Sequence, residues 1–242
     1  MHLPLLAELL TAFPDAEVLM GKTHLTSAVG SFFESLPSGT DRAAIAARVI
    51  FLADGPERLA ELIALASRLG VTLRVAIEID VGLRRSGLAD PSELAPMLRA
   101  LLGTSAVEYA GFLGYDGHVA HDPRRSLDAV EMAWSDAMGA FQSFVDVLRD
   151  PEFDALSTRP DLIFHSGGST TYSKFGGDAL TPVNDVAAGG GVLRPGGYPG
   201  FLISALRPAI FIATPVLRAY PAPRLPSSPT HSRRASWRGA RA

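Results

Sequence analysis

The sequence predicts an α/β fold, specifically an incomplete (β/α)8 barrel of the TIM type. Three observations lead there. Apolar runs of strand length recur at about six places, and segments of helical periodicity separate them. Each run is nearly continuous rather than alternating, as strands of a parallel sheet covered by helices are. Polar residues follow these runs and so gather where the C-terminal ends of parallel strands lie, which in a barrel is where chemistry collects.

The elements follow in order. Residues 4–13 put Leu5, Leu6, Leu9, Leu10 and Phe13 on one helical face, with Pro4 near the first turn. Residues 17–20 form a short strand ended by Gly21, and residues 27–35 a helix. Residues 48–53 (RVIFLA) are a buried strand. Asp54-Gly55-Pro56 then opens a helix with Leu59, Leu62, Ile63, Ala66 and Leu69 inward and Gly70 closing it. Residues 73–79 (LRVAIEI) are the next strand. Asp90-Pro91 starts a helix through Leu102 in which Pro96 is expected to make a kink. Residues 109–115 are a strand. Residues 126–148 are the longest helix, carrying Leu127, Val130, Trp134, Ala137, Met138, Phe141, Val145 and Leu148 at helical spacing. Leu162, Ile163 and Phe164 form another strand, residues 184–187 a further one, and residues 208–213 (PAIFIA) the last apolar run.

Bulk properties narrow the function classes. The 242 residues are 47% apolar, enough for one large α/β core, and the net charge of −3 points to neither nucleic acid nor a membrane surface. No apolar run is long enough to cross a bilayer. The absence of cysteine rules out disulfides, thiolate zinc sites and a cysteine nucleophile, and is compatible with a reducing cytoplasm, the expected location. Beyond Asp185 there is no acidic residue, and residues 221–242 are rich in Pro, Ser and Arg without apolar periodicity. A barrel domain over residues 1–217 and a disordered tail over 218–242 are therefore expected.

Four stretches bear on chemistry. In DLIFHSGGSTTY (residues 161–172) a buried strand runs into a glycine-rich, hydroxyl-rich loop. Such a loop uncovers backbone N–H groups and lets a ligand approach the main chain, and phosphate is its natural guest. In IDVGLRRSG (residues 79–87) a strand ends in Asp80, turns at Gly82 and holds Arg85 ready for an anion or a ligand oxygen. HVAHD (residues 118–122) has two histidines three apart but no third ligand at firm spacing, so no metal site is expected. AEVLMGKT (residues 16–23) loosely fits a P-loop ending in Lys22, but Ala16 replaces the turn-making glycine and Glu-Val-Leu-Met reads as strand rather than as an exposed loop. Nucleotide binding through Lys22 is the weakest of the alternatives.

Taken in order, IEIDVGLRRSGL, GFLGYDGHVAH, HSGGSTTY and NDVAAGGGVLRPGGY resemble the D-threonine aldolase and D-serine dehydratase-like group over residues 13–217. These are fold-type III enzymes that use pyridoxal 5′-phosphate (PLP) and share the alanine racemase N-terminal barrel. The resemblance implies action on a small D-amino acid by aldol cleavage, dehydration with deamination, or racemisation. It implies that Arg85 lies beside the cofactor on its 3′-oxygen side and that His118 faces the cofactor ring. His165, Ser166, Gly167, Gly168, Ser169 and Thr170 would form one wall of the phosphate site, and Asn184, Asp185 and Gly189 another. A homodimer is the expected assembly.

Two departures accompany the resemblance. The group's Schiff-base lysine ends the first barrel strand, upstream of the helix that here begins at Pro4, and this sequence holds only Lys22 and Lys174. Neither falls in that slot. The group's C-terminal β domain, with its His and Cys metal ligands, also has no counterpart here. Both ends are expected to be cut, leaving a fragment of reduced or no activity, or a non-catalytic remnant that binds PLP or a partner.

Overall fold

Every strand pairs with the next one along the chain, and every pairing is parallel. In this computed structural model residues 3–120, 126–176, 181–193, 207 and 209 are described. The expected tail and the apolar run at 208–213, apart from Ala209, lie outside them. The elements are α1 (Leu3–Ala12), β1 (Val18–Leu19), α2 (Thr26–Glu34), α3 (Arg42–Ala47), β2 (Val49–Ala53), α4 (Pro56–Leu69), β3 (Leu73–Glu78), α5 (Leu94–Leu102), β4 (Val107–Leu113), α6 (Leu127–Val147), α7 (Asp154–Ser157), β5 (Ile163–Ser166), β6 (Asp185–Val186) and α8 (Gly190–Leu193). The six strands form one sheet in the order β1-β2-β3-β4-β5-β6, a half-barrel with its helices. No described helix is long and apolar enough to cross a membrane.

Local chemistry sets the helix ends. Asp41 caps α3 by accepting from the Ala44 N–H, and Ser126 caps α6 by accepting from Ala129. Gly70 closes α4 in the left-handed region at φ 67°, where a side chain would be strained. Pro96 does not kink a longer helix. Residues Pro91–Glu93 form a 3-10 turn capped by Asp90, and α5 starts afresh at Leu94. Pro96 therefore sits in the first turn of α5, where its missing N–H costs nothing.

The sheet separates two apolar clusters. Val49, Phe51 and Ala53 of β2, Leu73, Val75 and Ile77 of β3, and Val107, Tyr109 and Phe112 of β4 face the helices. Ile50, Leu52, Ala76, Ala110 and Leu113 form a second cluster with Leu19 and Ile163 on the other face. With side chains alternating at period two, that second face has three tiers. The N-terminal tier is charged: Arg74, with Glu17 at 2.8 Å, Glu108 at 3.5 Å and Asp161 at 3.8 Å. The apolar cluster lies between the two ends and reaches both, with Ile50 paired to Arg74 and Leu113 to Glu78 and His165. The C-terminal tier is polar and contains Glu78, His165 and Asp185.

Strand β4 keeps its two faces only through an irregularity. The pairing with β3 steps from Val75↔Tyr109 to Ala76↔Gly111, so β4 holds one extra residue. Without that step Phe112 would point to the face of Ala110. With it, Phe112 joins the helix-side core, stacked on Phe164 at 5.7 Å and edge-on to Phe141 and Phe144. Gly111 makes the step feasible. Its φ is +118°, and a Cβ there would lie 1.9 Å from the Ile163 carbonyl oxygen of β5.

Gly111→Ala is therefore expected to cost about 3 kcal/mol or more of unfolding free energy in urea titrations. The matched control is Gly139→Ala in α6, where a Cβ meets nothing within 4 Å. It should gain about 0.5–1 kcal/mol.

Candidate functional site

Because the strands are parallel, their C-terminal ends deliver six connections to one edge of the sheet. The loop after β3 folds back on its own strand: Leu88 N–H donates to the Glu78 carbonyl and Asp80 N–H to the Leu88 carbonyl. Asp80 Oδ1 accepts from the N–H groups of Gly82 and Arg84, both at 2.9 Å, and this holds Arg84 at φ 56°. The turn sets Arg85 with its guanidinium 5.1 Å from the centroid of the Tyr115 ring, over its face. Beneath it Glu78 is buried and accepts from Ser86 Oγ at 2.5 Å. Burial raises the Glu78 carboxyl above its ordinary value, while the Ser86 hydrogen bond and the Arg85 charge oppose the rise.

The loop after β4 carries Tyr115, Asp116 and His118. A Cβ on Gly82 would lie 2.7 Å from His118 Nε2, so the imidazole rests on that glycine and joins the loops of β3 and β4. A cavity of about 850 Å³ opens here, lined by Asp80, Arg84, Arg85 and His118 together with Ala133 and Asp136 of α6. His121 lies outside the described residues. Among those described, no three His, Asp or Glu groups are placed to share a metal.

The loop after β5 is the most unusual piece. Gly167 sits at φ +97°, and the Gly168 carbonyl accepts from the N–H groups of both Thr171 and Tyr172. The N–H groups of Gly167, Gly168, Ser169 and Thr170 donate to no group among the described residues, although Gly167, Gly168 and Thr170 are buried. Buried backbone donors are nearly always satisfied, so this run of four, three of them buried, calls for an acceptor beyond the described residues. A tetrahedral oxyanion suits such a concavity. A Cβ on Gly191 would lie 2.0 Å from the Ser169 carbonyl, so the turn at Gly189 and α8 lie directly against this loop.

Other residues singled out in the sequence have more local partners. Ser166 Oγ donates to the Gly114 carbonyl at 2.6 Å and so ties β5 to the end of β4. Asn184 accepts from Phe164 N–H and donates to the Leu162 carbonyl, extending the ladder of β5 with a side chain. His165 Nδ1 lies 2.6 Å from Asp185 Oδ2 across the β5–β6 pair, which fixes the ring with its proton on Nδ1. Lys22 is exposed just past β1, and Val18–Leu19 is strand, so residues 16–23 offer no loop to wrap a nucleotide's phosphates. Lys174 is engaged elsewhere, 2.5 Å from Glu131 and 4.9 Å from the Trp134 ring centroid.

Asp116 is the residue that sequence reasoning passed over. Its side chain is wholly buried, with Oδ1 accepting from Thr171 Oγ1 at 2.9 Å and Oδ2 making no hydrogen bond among the described residues. A Cβ on Gly168 would stand 3.1 Å from the same Oδ1. Burial pushes the carboxyl from the ordinary 3.8 up to about 6, against the pull of Thr171. The folded chain thus keeps a proton that the unfolded chain has already lost between those values. This favours the fold fully below pH about 4 and is lost as pH rises through about 6, a change of about 3 kcal/mol. Asp116→Asn is expected to flatten that decline in urea unfolding measured from pH 4 to 7, with the raised Glu78 carboxyl still contributing in the same sense.

Comparisons with known proteins agree with this architecture. The alanine racemase of Mycolicibacterium smegmatis is 30% identical over 137 residues, which is 53% of this chain and 34% of that protein. The chain thus spans about a third of that relative's length. The crystal structure of D-threonine aldolase from Filomicrobium marinum superposes with a TM-score of 0.58 at 18% identity, covering 76% of this chain and 45% of that one. Alanine racemase from E. faecalis gives 0.58 at 16% identity, covering 86% and 47%. At those identities the structural likeness is one of fold. The alanine racemase N-terminal domain family matches residues 23–181, from just after Lys22 to beyond the β5 loop, and this chain belongs to that family.

Proposed function

We propose that this chain is the cofactor-binding barrel of a PLP-dependent enzyme acting on small D-amino acids, by aldol cleavage, dehydration with deamination, or racemisation. The observation that carries the reading is the β5 loop, whose four successive N–H groups from Gly167 to Thr170 lack acceptors among the described residues. A phosphate ester supplies the oxygens such a loop needs, and Gly167 and Gly168 let it reach the backbone. Gly189 and α8 back the loop and would close the cradle from the β6 side.

PLP supplies an electron sink for negative charge at a substrate's Cα. The chain's own residues would bind and orient. Arg85, held over Tyr115 and anchored through the Asp80 turn, offers a fixed cation to the 3′-oxygen side of the ring. His118, seated on Gly82, offers a flat face to the ring itself. His165, oriented by Asp185, holds a proton on Nδ1 and leaves Nε2 able to accept one. A homodimer remains the expected assembly.

Neither lysine of this sequence is placed for covalent anchoring. Of its two lysines, Lys174 is paired with Glu131, and Lys22 follows β1 rather than filling the Schiff-base slot. A cofactor held by these residues alone would lack the tether and the base that an anchoring lysine supplies. A non-catalytic PLP-binding role is the second reading, and the engaged state of Lys174 is what favours it.

Titrating the purified chain with PLP, then reducing with borohydride and mapping peptides, tests both points. The expected result is a saturable absorbance change, competed by inorganic phosphate, with no pyridoxyl adduct. Absence of saturable binding would overturn the cofactor reading. An adduct on Lys22 would overturn the unanchored one.

A further inference from the structure

The phosphate reading leaves one group unexplained: a wholly buried carboxylate set directly behind a loop that is read as binding an anion. Asp116 belongs to the β4 loop, yet its closest polar contact is in the β5 loop, Thr171 Oγ1 at 2.9 Å. Thr171 is itself buried, at 1% exposure, so this hydrogen bond is shielded from water. The Thr171 N–H donates to the Gly168 carbonyl at 3.1 Å, and the Tyr172 N–H does the same. Asp116 Oδ1 also stands 3.1 Å from where a Gly168 Cβ would be, so the carboxylate abuts the loop at the residue that receives both turn-closing bonds.

The contacts form one continuous path. Asp116 fixes the Thr171 side chain, the Thr171 backbone fixes the Gly168 carbonyl, and that carbonyl sets the plane of the peptide whose nitrogen belongs to Ser169. The four donors from Gly167 to Thr170 straddle this peptide. Hydrogen bonding to an anion depends steeply on donor direction, so a small rotation of this turn spoils several donors together. The tie needs an acceptor at Oδ1, which a carboxylate and a carboxamide both supply.

We propose that Asp116 is a positioning residue of the phosphate loop, acting through Thr171 to aim the N–H groups of residues 167–170 at the ligand's phosphate. The inference rests on the cofactor reading above and specifies which part of the ligand depends on Asp116. It requires that ligands bearing a phosphate lose affinity when the tie is cut, and that the same ligand without phosphate does not. A general packing role would weaken both alike.

The test compares binding of PLP, pyridoxal and inorganic phosphate to the full chain and to four variants, with thermal melts to confirm folding. Thr171→Val removes the hydroxyl at nearly constant shape, and Asp116→Ala removes its acceptor. Both are expected to weaken PLP and inorganic phosphate about tenfold while leaving pyridoxal unchanged. Thr171→Ser and Asp116→Asn keep a donor and an acceptor, and should stay within about threefold of the wild type for PLP. Equal losses for PLP and pyridoxal, or no loss in Thr171→Val, would overturn the proposal while the phosphate site stands. A wild-type chain that binds PLP no better than pyridoxal would remove the phosphate reading, and this inference with it. If Asp116→Ala does not fold, Thr171→Val alone decides.

Discussion

The close approach of Gly111 to the Ile163 carbonyl is the constraint on which the rest of the molecule depends. A β4 strand with regular alternation would place Phe112 on the sheet's other face and strip the helix-side core of its central aromatic ring. The extra residue in β4 resets that alternation, and only a residue without a side chain tolerates both φ +118° and the proximity of β5. The same close contact sets β4 and β5 side by side in register, Leu113 opposite His165. Every link between the two loops above them, Ser166 to Gly114 and Thr171 to Asp116 included, follows from that register.

At the opposite end of the sheet, Arg74 provides the counterpart. Its guanidinium is largely buried and reaches Glu17 ahead of β1, the Ala47 carbonyl ahead of β2, Glu108 of β4 and Asp161 ahead of β5. One cation thus gathers the entry ends of the strands around β3. The carboxylates keep part of their hydration, which lowers the desolvation cost that a fully buried cluster would carry. The lower rim is fixed electrostatically and the upper rim is left to glycines and hydrogen bonds.

Much of this was legible in the sequence because parallel sheets write themselves plainly. Apolar runs located the first five strands, and the Asp54-Gly55-Pro56 start and Gly70 stop bounded α4. The glycine-rich loop after β5 was legible because Ser-Gly-Gly-Ser-Thr directly after an apolar run has few other uses. Three features were not. Helix α3 is only six residues long, too short for periodicity, although Asp41 ahead of Arg-Ala-Ala was a cap signal. Pro96 reads the same inside a kinked helix or at the start of a new one. Asp116 stands in a motif where glycine and tyrosine draw attention, and nothing in one dimension says that a carboxylate between them is buried. Only the pairing of β4 with β5 brings Thr171, 55 residues away, against it.

The tiered inner face has a consequence for traffic. Between the charged end at Arg74 and the polar end at His165 lies a plug in which Ile50, Leu52, Ala76, Ala110 and Leu113 are each at most 4% exposed. Water and ions do not pass such a layer readily. A molecule docked at the polar end therefore meets closed apolar packing on the side toward Arg74.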